Sequence, residues 1–292
     1  MSHAKILLCL DADPQPSVFD SIVALDAGVD HLLRHGGVAP ELVRNLVHGA
    51  MFTRGSEALR HTAVFIGGSD VQAGEQLLSA VQKAFFGKVR VSVMLDSNGA
   101  NTTAAAAVIT AGRHVSLGPE TTAVVLGGTG SVGQRVVRML AKEGAEVRVA
   151  SRKMSRAEGV CHRVSQAVSG ARVTPHVVED SNVDSIVAGV PLVIAAGAAG
   201  VELFNQKSRR AAAALAVAID LNAIPPVGIG GVAPQDKAVH RDGQLCYGAL
   251  AIGGLKMKLH KAALRRLFET NDLVLDADAI YALGKSLELE PK

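Results

Sequence analysis

The sequence predicts an α/β protein of two parallel-sheet domains, and three observations point there. At 292 residues the chain has room for two compact units. Short apolar runs alternate with helical patterns from one end to the other, as parallel strands joined by right-handed crossovers require. A glycine cluster falls directly between one such run and one such helix, near the middle of the chain rather than at its start.

In the first part, residues 5–10, 61–66 and 89–95 read as strands, each a short apolar run bounded by charged or turn-forming residues. Helices are expected at 17–27, 40–51 and 71–85, with another from 101 to about 111. Residues 114–120 contain Gly118-Pro119 and read as a linker. The second part places strands at 123–126, 146–150, 172–178, 192–195, 214–220 and 244–247, with helices in the gaps and two more at 254–268 and 276–287. The expected domains are residues 1–115 and 120–253, with the helices of 254–288 packing back on the first and a cleft between the two. No internal repeat is visible.

Composition narrows the function. Hydrophobic residues make up 48%, enough for sizeable cores and too many for a disordered chain. Much of this is Ala, and Trp is absent, which suits close helix-on-sheet packing. The net charge of +3 is spread over scattered basic residues, and aromatic residues are only 3%, so no nucleic-acid footprint or base-stacking platform is present. Cys9, Cys161 and Cys246 form no C-x-x-C pair and read as reduced, packed thiols of a cytoplasmic protein. The apolar run Ile6–Leu10 is too short for a signal peptide. The longest uncharged run, 185–201, holds Pro191 and falls short of the roughly 20 residues of a membrane span.

The glycine cluster carries the first chemistry. Residues 121–127 read as a buried strand, followed by Gly128-Thr129-Gly130-Ser131-Val132-Gly133 and a helix with Val132, Val136, Val137 and Leu140 on one face. Strand, G-x-G-x-x-G, helix is the dinucleotide-binding fingerprint of a Rossmann-type domain. Gly128 is assigned the tight turn, Gly130 the approach of backbone N–H groups to a pyrophosphate, and Gly133 the close packing of helix on strand. An NAD site places Asp or Glu at the end of the second strand, on the ribose 2′-hydroxyl. Here that strand ends in Ser151-Arg152-Lys153. A hydroxyl and two cations suit a 2′-phosphate, which favours NADP. The competing reading is a solvated basic turn, which leaves the missing acid unexplained.

Four further stretches concentrate polar or glycine residues at junctions, where ligands bind in this fold class. Asp11 to Asp20 follows the first strand, and Ser17-x-x-Asp20 also fits a capping box, so Asp20 has a structural and a functional reading. Asp96 to Thr103 carries more amides and hydroxyls than capping consumes, which suits a polar ligand. Residues 220–231 and the loop Ala196-Gly197-Ala198-Ala199-Gly200 would lie along a nicotinamide, although ordinary turn chemistry also explains them. Gly253-Gly254-Leu255-Lys256 opens a helix whose stripe is Leu255, Leu259, Ala262 and Ala263. Lys256 stands at the stripe's edge near the helix start, and Lys258 is solvated. His31-x-x-x-His35 has i,i+4 spacing but no third ligand, so no metal is assigned. No nucleophile elbow occurs.

Together these stretches resemble a known family. Asp11-x-Asp13-x-x-Pro16-Ser17-Val18-Phe19-Asp20, Leu95-Asp96-Ser97-Asn98-Gly99-x-Asn101-Thr102-Thr103-Ala104, Asn222-Ala223-x-Pro225-Pro226-x-Gly228-Ile229-Gly230-Gly231 and Gly248-Ala249-Leu250-x-Ile252-Gly253-Gly254-Leu255-Lys256 are similar to the NADP-dependent methylene-tetrahydromethanopterin dehydrogenases of methylotrophic bacteria. Thr53-Arg54-Gly55 and Asp276-Ala277-x-x-Ile280-Tyr281 agree. The resemblance spans nearly the whole chain. It implies reversible hydride transfer between NADP and methylene-tetrahydromethanopterin, or methylene-tetrahydrofolate in some members, in a homo-oligomer. It also implies that Phe19, Asp20, Asn98, Thr102, Leu255 and Lys256 face the pterin. Asp20 and Lys256 would then be the catalytic pair, with Ala196, Gly197 and Asn222 near the nicotinamide. Hydride leaves a carbon flanked by two nitrogens, so no base is needed. Positioning the two rings within about 3–3.5 Å supplies most of the catalysis, and Asp20 can stabilise the cation. Two other readings stay open. One is a folate-type dehydrogenase with cyclohydrolase activity, for which Tyr281-x-x-x-Lys285 in the last helix is a weak counterpart. The other is a non-catalytic NADPH sensor.

Overall fold

The computed structural model describes residues 3–179 and 182–289 and divides the chain into two compact units. One joins the residues up to Thr102 with those from Met257 onward, and the other is Thr103–Lys256. Both units are α/β.

The first unit holds a five-stranded sheet of β1 (Ile6–Leu10), β2 (His31–His35), β3 (Thr62–Ile66), β4 (Ser92–Leu95) and β12 (Val274–Leu275), all parallel. The order is β12-β4-β3-β1-β2, so the direction of travel reverses between β1 and β3. In an open α/β sheet that reversal leaves a crevice at the carboxyl ends of the strands. β3 and β4 are buried at every position, which is why they are continuous apolar runs after Thr62 and Ser92. Leu8, Leu10, Val64, Ile66 and Val93 pack against Val43 and Val47 of α2 (Pro40–Met51) and Leu77 and Val81 of α3 (Val71–Ala84). Truncating one such side chain to Ala costs about 2–5 kcal/mol.

Two strands of this sheet were not anticipated. β2 is an edge strand, exposed at three of its last three positions, with His and Arg where a buried strand has Val or Ile. Such polarity discourages edge-to-edge pairing. His31 and His35 therefore lie on a strand and not on a helix. β12 adds only two residues from the far end of the chain to β4.

The second unit holds seven strands: β5 (Thr122–Leu126), β6 (Glu146–Ser151), β7 (Arg172–Val177), β8 (Leu192–Ala195), β9 (Val217–Asp220), β10 (Val239–Arg241) and β11 (Gln244–Tyr247). Their order is β10-β11-β9-β8-β5-β6-β7, and among the described residues only the β10–β11 pair of this sheet is antiparallel. The six parallel strands follow the Rossmann order 3-2-1-4-5-6, with the reversal between β5 and β8. β10 and β11 are joined by Asp242 and Gly243, both with positive φ (52° and 85°), a turn that matches the twist of a hairpin.

Arg209 of α8 (Gln206–Ala211) clamps that hairpin and is fully buried. It donates to Gly230 O (2.9 Å), Gln244 Oε1 (2.6 Å) and Asp242 Oδ2 (2.7 Å). Helix α9 runs Ala249–Arg266, five residues further towards the amino end than expected, so Gly253 and Gly254 lie inside it. A Cβ at either would meet nothing within 4 Å, so helix packing does not require these glycines. The chain ends in α10 (Ala277–Leu289). No described helix is long and apolar enough to cross a membrane.

Candidate functional site

Carboxylates gather where the first sheet reverses. Asp11, just past β1, is 3% exposed and accepts from Asp13 N (2.8 Å) and Ser17 N (3.3 Å). Burial pushes its carboxyl above the usual range, against those two bonds. Asp13 is held by Ser69, whose N and Oγ each donate to it at 2.9 Å. Ser17 caps α1 (Val18–Asp26) by accepting from Asp20 N at 3.1 Å. The reciprocal half of a capping box would come from the Asp20 carboxyl, but here Ser17 N–H goes to Asp11. An added Cβ at Gly67 would lie 3.4 Å from Asp11 Oδ2 and 3.6 Å from Asp20 Oδ2, so the two carboxylates approach the same point. Cys9, Asp11, Ser17, Asp20, Phe65 and Gly67 line one small cavity. Burial, reinforced by Asp20, pushes the Cys9 thiol up to about 12.

Asp96, past β4, is fully buried. Its Oδ1 accepts from Asn101 N and Thr102 N at 3.0 Å each, and its Oδ2 accepts from Thr102 Oγ1 at 2.6 Å. These donors start α4 (Ala100–Gly112), so Asp96 anchors that helix. Buried His260 of α9 stands beside it. His260 Nδ1 is 3.5 Å from Asp96 Oδ2 and Nε2 is 3.9 Å from Asp20 Oδ1, while the ring stacks on Phe65 with centroids 5.6 Å apart.

The expected pterin-facing residues are placed unequally. Phe19 is 52% exposed in the first turn of α1. Asn98 is exposed on a left-handed backbone (φ 54°), tied down by its N–H to Gly68 O at 2.6 Å. Thr102 is fully buried with its hydroxyl on Asp96, so it stands behind the surface. Leu255 and Lys256 are half-buried. With α9 starting at Ala249, Lys256 is two turns inside the helix rather than near its start. The unfavourable dipole read from the sequence therefore does not apply to it.

The second unit presents its own edge. After β5 the left-handed residue is Gly127 (φ 71°), not Gly128 as the fingerprint suggested. A Cβ on Gly127 would lie 2.6 Å from Gly197, so the loops after β5 and β8 touch. Gly128 is needed for packing instead, since its Cβ would meet Val125 O and Val149 at 3.0 Å. Gly133 presses α5 (Ser131–Lys142) onto the loop, where a Cβ would be 2.4 Å from Gly127 O. Gly130 caps α5 without a side chain, and Ser131 and Val132 open its first turn half-buried. The N–H groups there are free of a side-chain cap, as an anion cradle requires. Thr129 Oγ1 lies 3.2 Å from Ser151 Oγ at the end of β6, and Arg152 and Lys153 are exposed beyond it. These residues fit a dinucleotide with a 2′-phosphate.

Ala196 and Gly197 follow β8, half-buried. Asn222 is buried with its amide spent on the loop: Nδ2 donates to Pro226 O (3.2 Å) and Oδ1 accepts from Ile224 N (3.0 Å). It shapes the turn after β9. Asp220 ties both ends of that turn by accepting from Asn222 N (3.0 Å) and Ile229 N (2.8 Å), and burial raises its carboxyl.

In sequence and in fold the chain is similar to known proteins. Residues 18–98, from α1 to the Asn98 turn, match the family model for the N-terminal part of methylene-tetrahydromethanopterin dehydrogenase. The bifunctional protein MdtA of Methylorubrum extorquens is 43% identical over 97% of this chain and 99% of its own length. The chain belongs to the methylene-tetrahydromethanopterin dehydrogenase family. A second relative, the NAD(P)-dependent methylenetetrahydromethanopterin dehydrogenase of Methylorubrum extorquens, is 28% identical over 92% of this chain and 93% of its own. In fold the chain is similar to quinate dehydrogenase from Corynebacterium glutamicum in complex with NAD (TM-score 0.55, 14% identity, 97% of this chain and 100% of that one).

Sequence reasoning missed three residues here: Gly127, Asp220 as a loop tie, and His260. The signal for His260 was present. It falls with Leu259, Ala263, Leu264 and Leu267 on the buried face of α9, a place a solvated histidine does not occupy. The pair Tyr281 and Lys285 lies on α10 with the ammonium 5.6 Å over the ring, which is a helix-face contact.

Proposed function

We propose that this chain catalyses the reversible, NADP-dependent oxidation of methylene-tetrahydromethanopterin to the methenyl form. The observation that carries the reading is a coincidence of two kinds. A chain of this family has a glycine loop at the strand-order reversal of its second sheet, and the next strand ends on Ser151, Arg152 and Lys153 instead of an acid. NADP, when bound, supplies the hydride acceptor.

The residues divide the work. The first turn of α5, with Gly128, Thr129, Gly130, Ser131, Val132 and Gly133, holds the pyrophosphate on backbone N–H groups. Ser151, Arg152 and Lys153 select the 2′-phosphate. Ala196, Gly197 and Asn222 shape the loops beside the nicotinamide. Phe19, exposed on α1, offers an apolar face to the flat pterin ring. Asn98 and Lys256 supply polar contacts to it, and Leu255 packs beside it. Asp20 faces the carbon that becomes cationic. Its carboxylate stabilises that charge as it develops, and no proton needs to move. Asp96 and Thr102 stand behind and fix the junction. Three buried free thiols support a cytoplasmic setting. The exposed apolar side chains Val18, Ile22 and Leu25 support a homo-oligomer.

The test is NADPH formation by purified protein given methylene-tetrahydromethanopterin, with methylene-tetrahydrofolate in parallel and NAD as the cofactor control. Turnover with NADP, and far less with NAD, is the expected result. NADPH binding without turnover of either pterin would refute the enzyme reading.

A further inference from the structure

The reaction proposed above needs no base, yet a histidine sits fully buried between two carboxylates at its site. We propose that His260 is a positioning residue: it fixes the Asp20 carboxylate in place and holds it ionised, as the centre of a row Asp96–His260–Asp20. This deepens the dehydrogenase reading and rests on it.

The geometry counts the proton. Asp96 already accepts three hydrogen bonds through both its oxygens, from Asn101 N, Thr102 N and Thr102 Oγ1. It is therefore an ionised acceptor, and the imidazole nitrogen facing it at 3.5 Å is the one that carries hydrogen. At the other end, Nε2 faces a carboxylate oxygen of Asp20 at 3.9 Å, an ion-pair separation beyond hydrogen-bond reach. Two carboxylates on opposite sides of one buried ring favour its charged form electrostatically, and that form is the imidazolium. Phe65 stacked on the ring keeps it from rotating away from either partner. A histidine serving only as core filling would not be placed against two acids, because a buried charge is retained only when it is paired.

Charge balance gives the row a purpose. Two carboxylates and one imidazolium sum to −1, which matches the single positive charge of the methenyl product. A neutral ring would leave −2 on Asp20 and Asp96, beside Asp11, which lines the same small cavity as Asp20. Asp20 would then take up a proton and lose its use. The groups facing His260 are thus Asp20 on α1, Asp96 after β4 and, past Asp20, Asp11 and Cys9 of β1, with Arg34 of β2 acting on Cys9. On its own helix, Lys261 turns to Asp26 at 2.8 Å, and Lys256 precedes His260 by one turn.

Ring-nitrogen NMR of ¹⁵N-histidine-labelled protein reads the row without any assay. Both His260 nitrogens should be protonated at neutral pH in the parent chain, and the ring should lose its proton at lower pH in Asp96→Asn. Kinetics reads the consequence. The parent should show an alkaline fall of kcat, and His260→Gln should lower kcat about tenfold to a hundredfold, leave KM for NADP within twofold, and abolish that fall. Asp96→Asn should move that fall to lower pH, and this serves as the second readout if His260→Gln does not fold. A neutral His260 at neutral pH, or a folded His260→Gln with the parent pH profile, overturns the inference. Absence of pterin turnover in the parent chain refutes the dehydrogenase reading, and the NMR result still decides the protonation of the row.

Discussion

Gly133→Ala tests the nucleotide loop by a displacement that can be worked out from the backbone. A Cβ at Gly133 would lie 2.4 Å from Gly127 O and 2.8 Å from Gly128 Cα. Close C···O contacts in proteins stop at about 3.3 Å, so the first turn of α5 must retreat by about 0.9 Å. Neither neighbour can rotate aside, because both are main chain. The overpacking costs about 1–3 kcal/mol of stability. The larger effect is on the ligand. N–H donors placed about 2.9 Å from a phosphate oxygen move to about 3.8 Å, where no hydrogen bond remains. Losing about two charge-assisted bonds, each worth about 1.5–3 kcal/mol, weakens NADPH binding at least about a hundredfold.

Two controls separate fold from binding. Gly130→Ala puts its Cβ at an ordinary 3.4 Å from Ala196 O and Gly127 O, so Tm should hold while affinity falls. Gly49→Ala, exposed within α2 with nothing within 4 Å, should gain about 0.5–1 kcal/mol of stability and bind NADPH as the parent does. Calorimetric titration with NADPH and thermal melts measure all three. If Gly133→Ala binds NADPH within twofold of the parent, the assignment of this loop to the pyrophosphate is wrong.

Other outcomes follow from the same geometry. Ser151→Asp puts a carboxylate at the end of β6, where it attracts a ribose hydroxyl and repels a phosphate. Steady-state rates should show kcat/KM for NADP falling about a hundredfold and that for NAD rising. Asp236 is 4% exposed, and its bidentate bond to the Arg241 guanidinium holds its carboxyl below the usual carboxylate range. A depressed carboxyl stabilises the fold above its unfolded value near ~3.9, and that contribution disappears as pH falls through the folded value. Asp236→Asn should therefore be about 1–2 kcal/mol less stable than the parent at neutral pH, and urea melts should show the two converging in acid. Burial raises all three thiols. Ellman's reagent should react with none of them at neutral pH in the native protein and with all three after denaturation, and a fast native thiol would contradict the packing.

What was legible in the sequence was what burial writes locally. β3, β4, β5 and β8 are covered on both faces, so past the polar first residue of the first three they appear as unbroken apolar runs. Ser17 at the start of α1 carries its own capping signal. What escaped depends on partners far away or on an exposed surface. β2 has little to bury, so its residues look like loop. β12 is a strand only because β4 is beside it. The β10–β11 hairpin is a different case, because Asp242-Gly243 is a strong local turn signal that was passed over. Gly253 and Gly254 looked like a helix boundary, yet packing of Ile252 and Leu259 carries α9 straight through them.

The site divides along the same line. A nucleotide loop is a local device: one turn, one helix end and three glycines within six residues (Gly128, Gly130 and Gly133) produce the anion cradle, so a motif can reveal it. The carboxylate row is not local. Asp20 follows β1, Asp96 follows β4, and His260 arrives from a helix more than 160 residues later. No spacing rule connects them, and only the strand order explains why they meet. With β1 and β3 adjacent and β4 next in line, the residues after these strands must share one edge of the sheet. A late helix returning to that unit has its buried face turned to the same edge. Chemistry that needs several charges held in balance is built where the topology brings strand ends together. It is therefore read from the fold, whereas recognition of a phosphate can be read from the sequence.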